Sequence, residues 1–198
     1  MRILVIGATG LIGDAVVRAL RPRHEVIAVS RSTAPPVDIG DTGSVARLYE
    51  QVGSVDGVVV TTGHAPFGRP DELSLEDYLT GVRSKLLGQV DVVRQGIAHL
   101  RDGGSFTLTS GILATEPIRG ASASAAANGG IEAFARTSAA ELPRGQRINV
   151  IRPSIVQGSP PSALALFPGF LPVPLESVAS AYVRSVEGVR TGHIYEVS

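Results

Sequence analysis

The stretch Arg2-Ile3-Leu4-Val5-Ile6-Gly7-Ala8-Thr9-Gly10-Leu11-Ile12-Gly13 decides how the rest of the chain is read. After Arg2 the run is apolar without alternation, which predicts a strand over Arg2–Ile6 buried on both faces. Leu11, Ile12, Ala15, Val16, Ala19 and Leu20 then recur at helical spacing until Pro22 stops the helix. Between strand and helix stand glycines at spacing three. In that context Gly7 permits a tight turn, Gly10 lets backbone N–H groups approach a pyrophosphate, and Gly13 lets the helix pack on the strand. The helix N-terminus adds partial positive charge. Gly7, Thr9, Gly10, Leu11, Ile12 and Gly13 are therefore candidate cofactor-binding residues; a purely structural turn is the plainer alternative.

Moving outward, apolar runs and helix-period segments alternate to the end of the chain, the pattern of a parallel sheet built from crossover units. Strands are predicted at Glu25–Val29, Gly57–Thr61, Phe106–Thr109, Ile148–Ile151 and Ile194–Val197, and helices at Thr42–Val52 and Ser177–Val186. The longest periodic element carries Leu79, Val82, Leu86, Val90, Val93, Ile97 and Leu100 and is predicted to end near Gly103-Gly104. A second long helix, rich in Ala, Ser and Gly at its start, is predicted from Ser122 to Leu142, with Pro143 as its stop. The proline-rich, weakly charged run from Pro153 to Pro174 reads as a loop over the carboxyl edge of the sheet. Only about six residues separate Ser30 from the extended-looking Val37-Asp38. A helical crossover needs roughly a dozen, so one helix after the second strand is read as missing. With no fixed-period repeat, residues 1–198 are expected to form one domain.

Composition narrows the function classes. Eighteen basic against 18 acidic side chains give a formal net charge of zero, so no bulk charge draws the chain to nucleic acid or to an anionic membrane. With no cysteine there is no disulfide framework, thiolate zinc site or cysteine nucleophile, and the four histidines show no metal-ligand spacing. The N-terminal apolar run meets its glycine turn too early for a signal-peptide core or a membrane span, so a cytoplasmic location is expected. Lys85 is the sole lysine, which makes its position worth following.

The end of the second strand reads Ser30-Arg31-Ser32. A site that prefers NAD has Asp or Glu there for the ribose 2′-hydroxyl, whereas a guanidinium between two hydroxyls suits a 2′-phosphate. The expected cofactor is therefore NADP, with Ser30, Arg31 and Ser32 among its contacts. An exposed loop arginine is the alternative.

Taken in order, these segments resemble the short-chain dehydrogenase/reductase family. Asp38-Ile39 resembles its adenine-contacting acidic position, and Thr61-Thr62-Gly63-His64 is the counterpart of its Asn-Asn-Ala-Gly segment with only the glycine kept. Leu108-Thr109-Ser110 is similar to the strand bearing the family's catalytic serine. The run Ala139-Ala140-Glu141-Leu142-Pro143-Arg144-Gly145-Gln146-Arg147-Ile148-Asn149-Val150 resembles its helix and Arg-Gly-Ile-Arg-Val-Asn signature, and Arg152-Pro153-Ser154 its turn near the nicotinamide. The resemblance implies a Rossmann-type, doubly wound α/β fold with helices on both faces and a homodimer or homotetramer acting on a small-molecule substrate. It adds Asp38, Ile39, Thr62, Gly63, Asn128, Pro153 and Ile155 to the expected cofactor contacts.

One departure stands against these matches. Counting back from Arg144-Gly145, the family's Tyr-x-x-x-Lys pair falls on Ser124 and Asn128. Serine is too weak an acid to replace a lysine-assisted phenol, and a neutral amide does not lower a neighbour's pKa by charge. Lys85, in Ser84-Lys85-Leu86-Leu87-Gly88, falls where the family has an active-site asparagine, so an exchange of roles between positions 85 and 128 is one reading and a solvated helix lysine the other. On the first, Lys85 points into the cleft near Ser110, the nicotinamide ribose or the substrate, and Ser110 and Lys85 are the candidate catalytic residues. His64 either faces substrate or is simply exposed. Two functions follow: an NADP-dependent oxidoreductase on a small carbonyl or alcohol with a non-standard catalytic site, or a catalytically inactive NADP(H)-binding sensor or regulatory protein.

Overall fold

The computed structural model describes residues 1–198. The opening apolar run forms β1 (Arg2–Ile6), whose side chains alternate between two cores. Ile3 and Val5 join one cluster with Val16, Leu20, Val178 and Tyr182, while Leu4 and Ile6 join another with Leu48, Val92, Phe106 and Ile131. A strand that must satisfy both faces has no polar alternation to show, as the sequence indicated.

Five further strands complete the sheet: β2 (Glu25–Val29), β3 (Val55–Val60), β4 (Leu100–Thr109), β5 (Arg147–Pro153) and β6 (Ile194–Val197). All pair in parallel, in the order β2-β1-β3-β4-β5-β6. The chain winds outward from β1 to β2 and then crosses back to β3, so the crevice at the strands' carboxyl ends opens between β1 and β3. Helix α1 (Leu11–Leu20) packs with α7 (Leu175–Glu187) on one face. On the other face lie α2 (Thr42–Val52), α3 (Leu75–Gly81) continuing into α4 (Gly88–Gly96), and α5 (Ser122–Ser138). The expected loss of a crossover helix holds: after β2 the chain runs straight on to α2, with a single parallel bridge, Ser30 to Pro36, in place of a further strand.

Three differences from the sequence reading exceed a shift of one or two residues. The long helix ends at Gly96, not beyond Leu100, and Leu100 opens β4. Both Ile97 and Leu100 pack on the same core, so their three-residue step continued the apolar period across a turn that the pattern does not mark. Helix α5 stops at Ser138, and residues 139–142 turn back with Leu142 still packed on the core. The Pro153–Pro174 run holds a short helix, α6 (Pro161–Leu164), and is closed at its base by a bridge between Val156 and Val173. Its Phe167 and Phe170 pack edge to face over Ile112, Leu113 and Ala121.

A feature without a sequence mark lies between α3 and α4, where Val82–Leu87 form a π-helical segment. Such segments hold one residue more per turn and recur where a side chain is re-aimed. Ser84 and Lys85 sit inside it.

Candidate cofactor and catalytic cleft

The glycine turn has a separate job at each position. Gly7 adopts φ +90°, a conformation that favours glycine, and its N–H and that of Ala8 both donate to the Val29 carbonyl. A Cβ on Gly13 would overlap the Gly7 carbonyl oxygen, so helix and turn touch backbone to backbone there. A Cβ on Gly10 would meet only the Gly7 oxygen, at 3.4 Å, so its other side is open. Gly10 is also the N-cap of α1 and no side chain caps that end, which leaves first-turn N–H groups facing outward.

This turn borders a cleft of about 500 Å³, lined by Gly7, Thr9 and Gly10 at one wall, by Ser30, Arg31, Ser32, Asp38 and Ile39 at a second, and by Thr61, Thr62, Gly63, His64 and Ser84 at a third. At the second wall the Ser30 and Ser32 hydroxyls lie 3.1 Å apart, and the Ser32 N–H donates to Ser30 Oγ. Arg31 is exposed and takes part in none of the chain's ion pairs. A free guanidinium at a cleft rim is a ready site for an anionic oxygen group. The open cradle, uncapped helix end and unpaired arginine together fit a dinucleotide carrying an extra phosphate.

Six residues expected at the cofactor do not line this cleft. Gly13 serves the packing just described, Ile12 packs on the α1–α7 core, and Leu11 faces Gly158 of the proline-rich loop. Pro153 pairs with Val197 at the end of β5, and the Ile155 carbonyl accepts the Val173 N–H. Asn128 lies on α5 beside Gly111.

The third wall brings in the lysine. Gly63 adopts φ +135°, and a Cβ there would come within 2.7 Å of Lys85 Cγ and 2.9 Å of its Cα, so the lysine stem lies flat on this glycine. Burial pulls the Lys85 ammonium down from 10.5 to about 8. It has no carboxylate or other hydrogen-bond partner. The His64 N–H donates to Ser84 Oγ at 3.2 Å, while the His64 residue is exposed.

At the end of β4, Ser110 is buried, and its hydroxyl donates to Glu132 Oε1 at 2.9 Å. The sequence reading had not named Glu132. It lies four residues beyond Asn128 and eight beyond Ser124, so all three share one buried stripe of α5. Arg152 on β5 grips the carboxylate with Nε on Oε1 (2.8 Å) and a terminal nitrogen on Oε2 (2.6 Å), and Arg136 adds 3.3 Å to Oε2. The backbone before Ser110 is held by the Gln89 amide, which donates to the Thr109 carbonyl and accepts the Thr109 N–H, both at 2.9 Å. Thr109 Oγ1 donates to the Val60 carbonyl and lies 2.6 Å from the Tyr182 hydroxyl. The single sequence signal for Glu132 was a carboxylate standing at i+4 from Asn128 and i+8 from Ser124 in a helix otherwise rich in small residues. His24, outside the cleft, has a buried side chain bonded to Glu187.

Comparison with known proteins places this arrangement. A family profile described as enoyl-(acyl carrier protein) reductase matches residues 10–173. The crystal structure of the protein lin1944 from Listeria innocua is 44% identical and superposes with a TM-score of 0.98 over the whole of both chains. A small-chain dehydrogenase solved in complex with NADPH is 28% identical, with a TM-score of 0.90 over all of this chain and 96% of that one. Among curated relatives, the versicolorin reductase stcU of Emericella nidulans is 30% identical over 131 residues, covering 54% of this chain and 50% of that protein. The hydroxynaphthalene reductase-like protein Arp2 of Metarhizium brunneum is 29% identical over 152 residues, covering 70% and 56%. The chain thus spans about half the length of the curated relatives it matches. No helix is long and apolar enough to cross a membrane.

Proposed function

The chain belongs to the short-chain dehydrogenase/reductase family, and from that premise we propose that it is an NADP(H)-dependent oxidoreductase acting on a small carbonyl or alcohol through a non-standard catalytic site. The observation that carries the cofactor preference is Arg31, a free guanidinium between two serines at the end of β2. In this reading Gly7, Thr9, Gly10 and the first turn of α1 hold the pyrophosphate, and Ser30, Arg31 and Ser32 the 2′-phosphate. Asp38 and Ile39 flank the adenine, and Thr62 and Gly63 the nicotinamide end. A structural neighbour crystallised with NADPH supports the assignment. When bound, the nicotinamide supplies or accepts the hydride.

Lys85 provides the acid. With a pKa of about 8 it is roughly nine-tenths protonated at pH 7, and a partly desolvated ammonium with no competing partner is suited to hand its proton to a substrate oxygen. Ser110 orients that oxygen. The family's phenol–lysine pair has no counterpart on α5, where Ser124 and Asn128 stand; this observation favours a second reading, an NADP(H)-binding sensor or regulatory protein without turnover. One experiment separates the two. NADPH and NADH are titrated by fluorescence, and NADPH oxidation is then followed over a panel of carbonyls with wild type and Lys85→Ala. The oxidoreductase reading expects preferential NADPH binding and turnover lost in the variant. Binding without oxidation leaves the sensor, and no binding of either nucleotide overturns both.

We also take residues 1–198 as one nucleotide-binding domain, cytoplasmic and self-associating as a homodimer or homotetramer, with neither nucleic acid nor membrane as a partner. The exposed Leu75 and Leu87, on the helix spanning 75–96, suit such an assembly, and light scattering tests it.

A further inference from the structure

A second cavity, of about 370 Å³, adjoins the cofactor cleft and shares Arg31, Val37 and Asp38 with it. Its other wall is α2. There Ser44, Arg47, Leu48 and Gln51 follow at steps of three and one and three, the spacing of a single helix face. The shortened crossover brings that face to the end of β2. The Val37 N–H donates to the Ser30 carbonyl at 3.0 Å, and the Asp38 N–H donates to Ser44 Oγ at 3.0 Å. The connection is thereby tied to β2 at one end and to the first turn of α2 at the other, with no helix between them.

Arg47 sits in this wall with little to hold it. Its guanidinium bonds only to Asp41, at 3.4 Å, and both side chains of that pair are exposed; such pairs contribute little. A Cβ on Gly43 would stand 3.1 Å from a terminal nitrogen of Arg47, so the guanidinium lies back over the first turn of α2. Asp38 is the one acidic residue in the lining, and its Oδ1 already accepts the Gly40 N–H at 2.9 Å. Two guanidiniums against that single carboxylate leave the cavity cationic. A phosphate monoester carries close to two negative charges and three terminal oxygens, enough for more than one guanidinium.

On the NADP(H) reading above, which it deepens, we propose that Arg47 is a further specificity-determining residue: with Arg31 it makes a two-guanidinium clamp, one arm from the end of β2 and one from the face of α2, for the 2′-phosphate. NAD(H), with a bare 2′-hydroxyl, gives the second arm no anion to hold.

Calorimetric titration of NADPH and NADH at low ionic strength tests the clamp on wild type, Arg47→Gln, Arg47→Lys and Arg31→Ala. In Arg47→Gln the preference for NADPH over NADH is expected to fall about fivefold, the upper scale of an exposed ion pair, while NADH affinity stays unchanged. Arg47→Lys keeps the charge without the planar fork and is expected to recover part of that loss. A merely structural role for Arg47 would weaken both nucleotides alike. An unmoved preference in Arg47→Gln, equal losses for the two nucleotides, or no recovery with lysine overturns the proposal. If Arg31→Ala abolishes the preference and Arg47→Gln leaves it intact, Arg31 alone holds the phosphate: the clamp falls and the cofactor assignment stands. A wild type that binds neither nucleotide, or prefers NADH, removes the assignment and the clamp together.

Discussion

Replacing Lys85 with methionine separates what its ammonium does from what its burial costs. The lysine stem packs on Gly63, a contact that methionine, of similar length, retains. Its folded-state pKa of about 8 lies below the 10.5 of the free side chain, so the folded protein holds the charged form less well than the unfolded chain does. At about 1.36 kcal/mol for each tenfold change in proton affinity, the difference amounts to a penalty of about 3 kcal/mol as an upper figure. Below pH 8 both states carry the charge and the penalty is in full force. Between pH 8 and 10.5 the unfolded chain binds more protons, so wild-type stability rises with pH across that window and levels above it. Lys85→Met removes the charge in both states. At pH 7 it is therefore expected to melt higher than wild type by several degrees, since a domain of this size moves about 2–4 °C per kcal/mol, and to lose the alkaline rise. Turnover, where wild type shows it, is lost in the same variant. Differential scanning calorimetry from pH 6 to 11 on both proteins makes the comparison. A variant that melts lower at pH 7, or keeps the alkaline rise, refutes the argument from burial.

Three other substitutions probe the cleft. Arg31→Ala is expected to weaken NADPH by about tenfold or more while leaving NADH nearly unchanged, as a lost charge-assisted contact would; equal losses for both nucleotides in a fluorescence titration contradict the 2′-phosphate assignment. Gly63→Ala combines a disfavoured φ of +135° with a Cβ pressed to 2.7 Å from Lys85 Cγ, so the melting temperature should fall by an amount equivalent to about 1–3 kcal/mol. An unchanged melting curve would show that the lysine moves freely. Gly13→Ala sets a methyl group into the Gly7 carbonyl, and nucleotide affinity should drop severely by calorimetry even if the variant is recovered folded.

Periodicity exposed those parts of the molecule where one segment carries its own instruction. The strand–glycine–helix unit at the start, the free arginine after β2 and the shortened crossover before α2 each depend on residues adjacent in sequence. Ser110 was legible as an endpoint of β4, but its partner was not. Glu132 meets Ser110 and Arg152 only because β4, α5 and β5 lie side by side, and nothing in a single helix announces that its carboxylate will face two other elements. The helix of residues 75–96 shows a different gap. Its apolar repeat correctly gave a helix, yet tolerated both the π segment at Val82–Leu87 and the spurious continuation to Leu100, because hydrophobic spacing records which face is buried and not how the backbone hydrogen bonds are counted.

That π segment makes the placement of Lys85 a matter of reading frame. Because the wide turn carries a surplus residue, a one-codon deletion within it returns the ladder to ordinary pitch without severing the helix. The two halves keep their faces, because the wide turn absorbs the extra residue, and only side chains within it change direction. Lineages gaining or shedding that codon would redirect one side chain while leaving both core-facing stripes in register with their own neighbours, so length variation here is a route by which chemistry changes and architecture does not.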